Sequence, residues 1–164
     1  MKTVFCVITN SYDELKTPRV VTPGWEYIVF SDKYIESDVW DCIITDKHNR
    51  EVKIKANILL QRNLTLYVDG SVEIIGDLNE FIKEVGQVIT AWKHPHRDTV
   101  AQEAKAVVKL KGCNPGLVKQ QLDRYKRAGF KDNMGLAGCL VLLRDMSDQK
   151  VRDICNLWYN EWVN

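Results

Sequence analysis

The chain has 164 residues, of which 45% are hydrophobic and 27% charged, and its formal net charge is +1. That length and balance describe one soluble globular domain over residues 1–164 with room for a sizeable core, while the near-neutral total argues against a surface built as a whole for a polyanion. No apolar run reaches the ~18 residues of a membrane span, so no span is expected, and a cytoplasmic location follows from the reading of the N-terminus below.

The opening run, Thr3 to Thr9, is too short for the apolar core of a signal peptide and no small-residue cleavage site follows it. It reads as a first buried strand. The five cysteines are scattered, odd in number and without a CxxC pair, which points to unpaired thiols in a reducing compartment and not to a zinc site or disulfide framework.

Asn10-Ser11-Tyr12-Asp13 is a turn-forming cluster at the end of that strand. A loop in this position is where a doubly wound sheet meets a nucleotide, although the same four residues also make a good generic turn. Residues 18–24 read as loop and 26–30, EYIVF, as a second strand ending at Ser31-Asp32-Lys33. Asp32 suits a ribose or base, and equally a surface turn. Residues 40–44 form a short third strand, and 50–62, REVKIKANILLQR, read as a helix, although Val52-Lys53-Ile54-Lys55 also suits an extended start. Lys53 or Lys55 in that helix reaches a diphosphate or stays a solvated charge.

The central stretch is LTLYVDGSVEIIGDLNEF, residues 64–81. Residues 64–68 have the length and composition of a strand buried on both faces. The strand stops at Asp69-Gly70-Ser71, and Val72, Ile74 and Ile75 continue an extended pattern until Gly76 breaks it. Asp77 then caps a helix, with Glu80 three residues on. An acid at the carboxyl end of a central strand sits where open α/β sheets place ligands.

Residues 87–92 give another strand, which delivers Lys93-His94-Pro95-His96-Arg97-Asp98. Thr99 and Gln102 have capping-box spacing, so a helix N-terminus lies close by and favours an anion. Together with Arg97 and the histidines it suits phosphate or sugar-hydroxyl recognition. Val100, Ala104, Val107 and Val108 mark the apolar face of that helix. Asn114 and Pro115 open the next helix, whose core face is Val118, Leu122 and Tyr125. Between Lys105 and Lys131 stand eight Lys or Arg residues and a single acid, Asp123. A Gly-rich turn, residues 131–138, feeds a buried strand, and Ser147 caps a last helix with Val151, Ile154, Cys155, Trp158 and Trp162 at helical spacing.

YVDGSVEIIGDLNEF resembles the strand, Asp-x-Asp, strand, Gly-Asp-Leu segment of GT-A nucleotide-sugar transferases of the glycogenin-like and galactosyltransferase-like families. TNSYDELKTP, YIVFSDK, REVKIKANILL, YVDGSVEI, AWKHPHRDTVAQEA and QLDRYKRAGFKDNMGLAGCLVLLRD follow one another in this chain. In that order they look like the hexosyltransferase-like domain of plant mucilage-related and turgor-regulating proteins. The resemblance covers nearly the whole chain, with His94, Pro95, Arg97 and the downstream Glu103 as its most specific part. Two departures stand out. Ser71 occupies the place of the second Asp, and the chain ends at Trp162-Val163-Asn164 before the family's Arg-Asp-Gln motif, as if a C-terminal segment were lacking.

The resemblance implies an α/β, GT-A-like fold with a mixed, mostly parallel sheet flanked by helices. It implies transfer of a sugar from a nucleoside diphosphate sugar to a glycan or other acceptor hydroxyl. Asp69 would be the metal residue for Mn²⁺ or Mg²⁺, with Ser71 beside it. Thr9, Asn10, Tyr12 and Asp32 would line the nucleoside side, and Lys55 and Arg97 would contact the diphosphate or sugar. His94, Glu103, Asn133 and Gly135 would face sugar and acceptor, and Asp132 and Glu103 are the candidates for a general base. Two other readings stand beside this one. The first is a non-catalytic nucleotide- or glycan-binding module of the same fold, and the second is a sugar transferase acting on nucleic acid through the basic stretch.

Overall fold

A computed structural model of the protein describes residues 2–85 and 88–163. Six strands and five helices occur among them, in the order β1 (Lys2–Ile8), β2 (Trp25–Ser31), β3 (Asp41–Ile44), α1 (Asn49–Leu60), β4 (Leu64–Val68), α2 (Leu78–Val85), β5 (Ile89–Lys93), α3 (Val100–Lys111), α4 (Pro115–Arg127), β6 (Ala137–Asp145) and α5 (Gln149–Val163). The strands form one sheet in the order β3-β2-β1-β4-β6-β5. β1 pairs in parallel with β2 and with β4, β2 with β3 likewise, and β4 pairs antiparallel with β6. The expected mixed, mostly parallel α/β sheet is therefore present.

The chain divides into two compact units, Met1–Ala91 with Leu140–Asn164, and Trp92–Cys139. The first holds the core. Alternate residues of a strand face opposite sides of its sheet, and β1 uses both sides. Val4, Cys6 and Ile8 pack with Trp25, Tyr27, Val29, Leu66, Val68 and Leu78 of α2. Phe5 and Val7 pack with Ile28, Phe30, Tyr67 and with Val52 and Ala56 of α1. A strand covered on both faces has little room for polar side chains, which is why β1 and β4 read as near-continuous apolar runs, with Thr3 and Thr65 the buried polar residues within them. Strands β2 and β3 lie on one side of β1 and β4 on the other, so the chain reverses its direction of travel between β1 and β4. Ligand sites of open α/β sheets lie at such a point, outside the carboxyl ends of the strands.

The second unit is a helical hairpin with the chain on either side of it. Thr99 caps α3 in a full capping box, Gly112 ends it at φ 66°, and Asn114 with Pro115 opens α4, all as the residue types require. Val118, Leu122 and Tyr125 are the half-buried residues of α4. Ala104 is the single buried residue among those described in this unit.

Three expectations are corrected. Residues 72–75 form no strand: Val72 N–H donates to Asp69 O at 2.9 Å and closes a turn, and only Ile74 of the segment is buried. The last helix is capped by Asp148, whose Oδ1 accepts from Lys150 N at 2.7 Å, while Ser147 bonds Asp145 instead. Within α5, Val151 and Cys155 are buried, but Ile154 is exposed and Trp162 lies against His48. Gln87, where the sequence starts the fifth strand, lies outside the described residues.

Candidate functional site

The carboxyl ends of the parallel strands make the first part of the site. After β1 the chain turns sharply at Asn10 and Ser11, both in the left-handed region at φ 57° and 52°, and Tyr12 N–H donates to Thr9 O at 3.2 Å. Asn and Ser tolerate this backbone better than branched residues. After β2, Asp32 Oδ2 accepts the Asn10 amide at 3.0 Å, joining the two loops. After β3, Thr45 N–H donates to Ser31 O at 2.8 Å, Thr45 Oγ1 accepts Lys47 N at 3.2 Å and His48 Nδ1 accepts Arg50 N at 3.1 Å. That last bond places the proton of a neutral His48 on Nε2.

These loops enclose a cavity of about 320 Å³ lined by Thr9, Asn10, Asp32, Thr45, Asp46, Lys47, His48 and Asn49, within the range of small-molecule sites. Thr9, Asn10 and Asp32 were expected here. Tyr12, expected with them, is 81% exposed and outside the lining. The third-strand loop, Thr45 to Asn49, was missed. Its signal is Thr-Asp-Lys-His-Asn, a polar cluster at the end of a strand, the position that singles out the first loop.

Asp69 follows β4. Its amide donates to Leu140 O at 2.7 Å, and its Oδ1 accepts the Tyr67 hydroxyl at 2.7 Å. Gly70 is buried beside it, where a Cβ would stand 2.6 Å from Asp13 Cβ and 2.9 Å from Asp13 Oδ2. The Asp13 side chain thus stands against Gly70, the residue after Asp69, while Ser71 is exposed. The charge of the two carboxylates reaches inward. Burial first, then Asp69 and Asp13, push the Cys6 thiol up to about 12, and burial with the Asp69 charge and hydrogen bond raises the Tyr67 phenol well above its ordinary value. Among the described residues no group of three or more His, Cys, Asp or Glu is arranged to hold a metal ion. A pair of carboxylates with a diphosphate and waters is nevertheless how Mg²⁺ is usually bound, so Asp69 and Asp13 fit such an ion in kind.

Lys55 is drawn to another task. Its Nζ lies 3.2 Å from the centroid of the Tyr159 ring, fixing α1 against α5.

The second unit brings together His94, Arg97 and Glu103. Arg97 Nε donates to Glu103 Oε2, and Arg97 Nη2 lies 2.7 Å from His94 Nε2. His94 Nδ1 accepts the amides of His96 and Arg97 at 3.1 Å each. The cluster is a guanidinium held by a carboxylate, with an imidazole whose ring is fixed by two backbone donors.

Asp132, expected as a general base, is a helix cap. Its two oxygens accept Val100 N at 2.7 Å and Ala101 N at 2.9 Å, while Thr99 Oγ1 takes Gln102 N at 3.1 Å. The first-turn amides of α3 that were expected to attract an anionic ligand already hold the protein's own carboxylate. Asn133 and Gly135 are exposed on the following turn, Gly135 at φ 83°. All eight basic residues between 105 and 131 are exposed. No helix among the described residues is long and apolar enough to cross a membrane. No protein-family model, curated protein or solved structure matches the chain.

Proposed function

We infer that the protein transfers a sugar from a nucleoside diphosphate sugar to an acceptor hydroxyl, on a GT-A-like sheet. The observation that carries this reading is the cavity at the carboxyl ends of β1, β2 and β3. Thr9, Asn10 and Asp32, the residues expected on the nucleoside side, share its lining. Asp32, held by the Asn10 amide, would accept a ribose hydroxyl, the usual work of an acid after the second strand of such a sheet. Lys47 and His48, at the start of α1, would face the phosphates. Asp69 with Asp13 would hold Mn²⁺ or Mg²⁺, which neutralises charge on a departing diphosphate. Within the second unit, and as a cluster by itself, Arg97 with Glu103 keeping the guanidinium oriented would suit sugar hydroxyls.

One set of contacts favours a second reading, a module that binds a nucleotide without transfer. Asp132 and Lys55, two of the residues assigned to the chemistry, are engaged in a helix cap and a ring contact. The two readings separate in one experiment. The protein is incubated with a panel of nucleotide sugars and Mn²⁺, and released nucleoside diphosphate is measured beside calorimetric binding. Transfer predicts release, reduced at least about a hundredfold in Asp69→Ala, and binding weakened in Asp32→Ala. Binding without release supports the module. Absence of both sinks the nucleotide reading.

A further inference from the structure

The turn between α3 and α4 presents a combination of side chains that the nucleotide reading does not use. Along one row of α3 the cover thins toward the C-terminus: Ala104 is buried, Val107 is half-buried, and Leu110 is 72% exposed. Beyond the turn, Leu117 in the first turn of α4 is 64% exposed. Lys109 and Lys111 are the sequence neighbours of Leu110 and Lys119 lies two positions after Leu117, all three exposed like Lys105, and residues 104–122 contain no acid. Lys119 is paired with Asp123 at 2.5 Å, so Lys105, Lys109 and Lys111 supply most of the local positive charge.

The tip is also built to hold its shape. The amides of Gly112 and Cys113 both donate to Val107 O. Asn114 Oδ1 accepts Gly116 N at 2.8 Å and Leu117 N at 3.2 Å. Two leucines displayed on an ordered turn need little further ordering when they meet a partner, which leaves more of their burial as affinity.

We propose that this helix-turn-helix tip docks on an anionic bilayer surface, with Leu110 and Leu117 entering the headgroup–acyl boundary and the lysines on the lipid phosphates. Exposed leucines with exposed lysines beside them in sequence match that interface because the amine heads stay in the polar layer while their alkyl stems lie along the apolar one. Duplex or single-stranded nucleic acid would meet the lysines as well, but it offers the leucines nothing to bury against. Base stacking calls for aromatic side chains, and the tip from 109 to 119 carries none. The proposal stands independently of sugar transfer.

The test is co-sedimentation of the whole chain with vesicles of phosphatidylcholine alone and of phosphatidylcholine with phosphatidylserine, at low and high salt. Pelleting is expected with the anionic vesicles only, and high salt should reverse it. K109Q/K111Q should lower the partition coefficient about fivefold per lysine. L110S/L117S should lower it at least as much, with an unchanged circular dichroism spectrum, since both side chains are exposed. Equal binding to neutral vesicles, no binding to either, or full binding by L110S/L117S would each overturn the proposal. An oligonucleotide shift that depends on the lysines, without vesicle binding, would reassign the surface to nucleic acid.

Discussion

Cys6 shows how a single residue registers the site around it. It lies on the middle strand, almost fully buried, with the Asp69 and Asp13 carboxylates close enough to add to the burial that raises its pKa to about 12. The folded protein therefore keeps Cys6 as a neutral thiol where an unfolded chain ionises it near ~8.5. Because the folded value is the higher one, the contribution to stability is complete below the unfolded pKa and is lost as pH rises through the interval up to the folded one. A Cys6→Ala variant should consequently show a flatter decline of stability above about pH 8.5 than the parent, measured by urea denaturation across pH. In the same protein exposed Cys113 should react with a thiol reagent at neutral pH while Cys6 does not. Rapid labelling of Cys6 in the native state would show that the carboxylate pair does not sit against a closed strand.

Among the elements, α3 depends most on residues distant in sequence. Thr99 and Gln102 announce its start in the sequence, but the carboxylate that takes its first two amides comes from Asp132, some thirty positions on. Asp132→Ala should lower stability by about 1 kcal/mol, the usual worth of a lost cap, seen as a lower denaturation midpoint with unchanged turnover. Lost turnover at an unchanged midpoint would return Asp132 to the catalytic set. The same contrast explains what was legible. Caps at Thr99, Asp77 and Asn114 are local chemistry and legible in the sequence, as are the apolar runs of the doubly buried strands β1 and β4. Distant partners were not legible. Lys55 meets Tyr159, Gly70 meets Asp13, and Arg144, placed at the end of its strand by sequence, is wholly buried and donates to Ile54 O at 3.0 Å. Residues 72–75 mislead for a related reason. Their apolar content suits a strand, but Val72 is turned back by its bond to Asp69 O, so side-chain pattern loses to backbone hydrogen bonding.

For the molecule as a whole, the decisive asymmetry is between its two units. The buried clusters all draw on the sheet unit, whereas α4 has no buried residue and α3 has only Ala104. Since opening free energy follows buried apolar contact and backbone hydrogen bonds shielded from water, the two units should not open together. Amides of β1, β2 and β4 should exchange only on global unfolding, with a free energy that falls linearly in urea. Those of α4 should exchange through smaller openings that denaturant hardly affects. Deuterium uptake on the native protein, resolved by peptide, checks this. Protection of α4 equal to that of β1 would mean that residues 92–139 are held by far more than the contacts within their own hairpin.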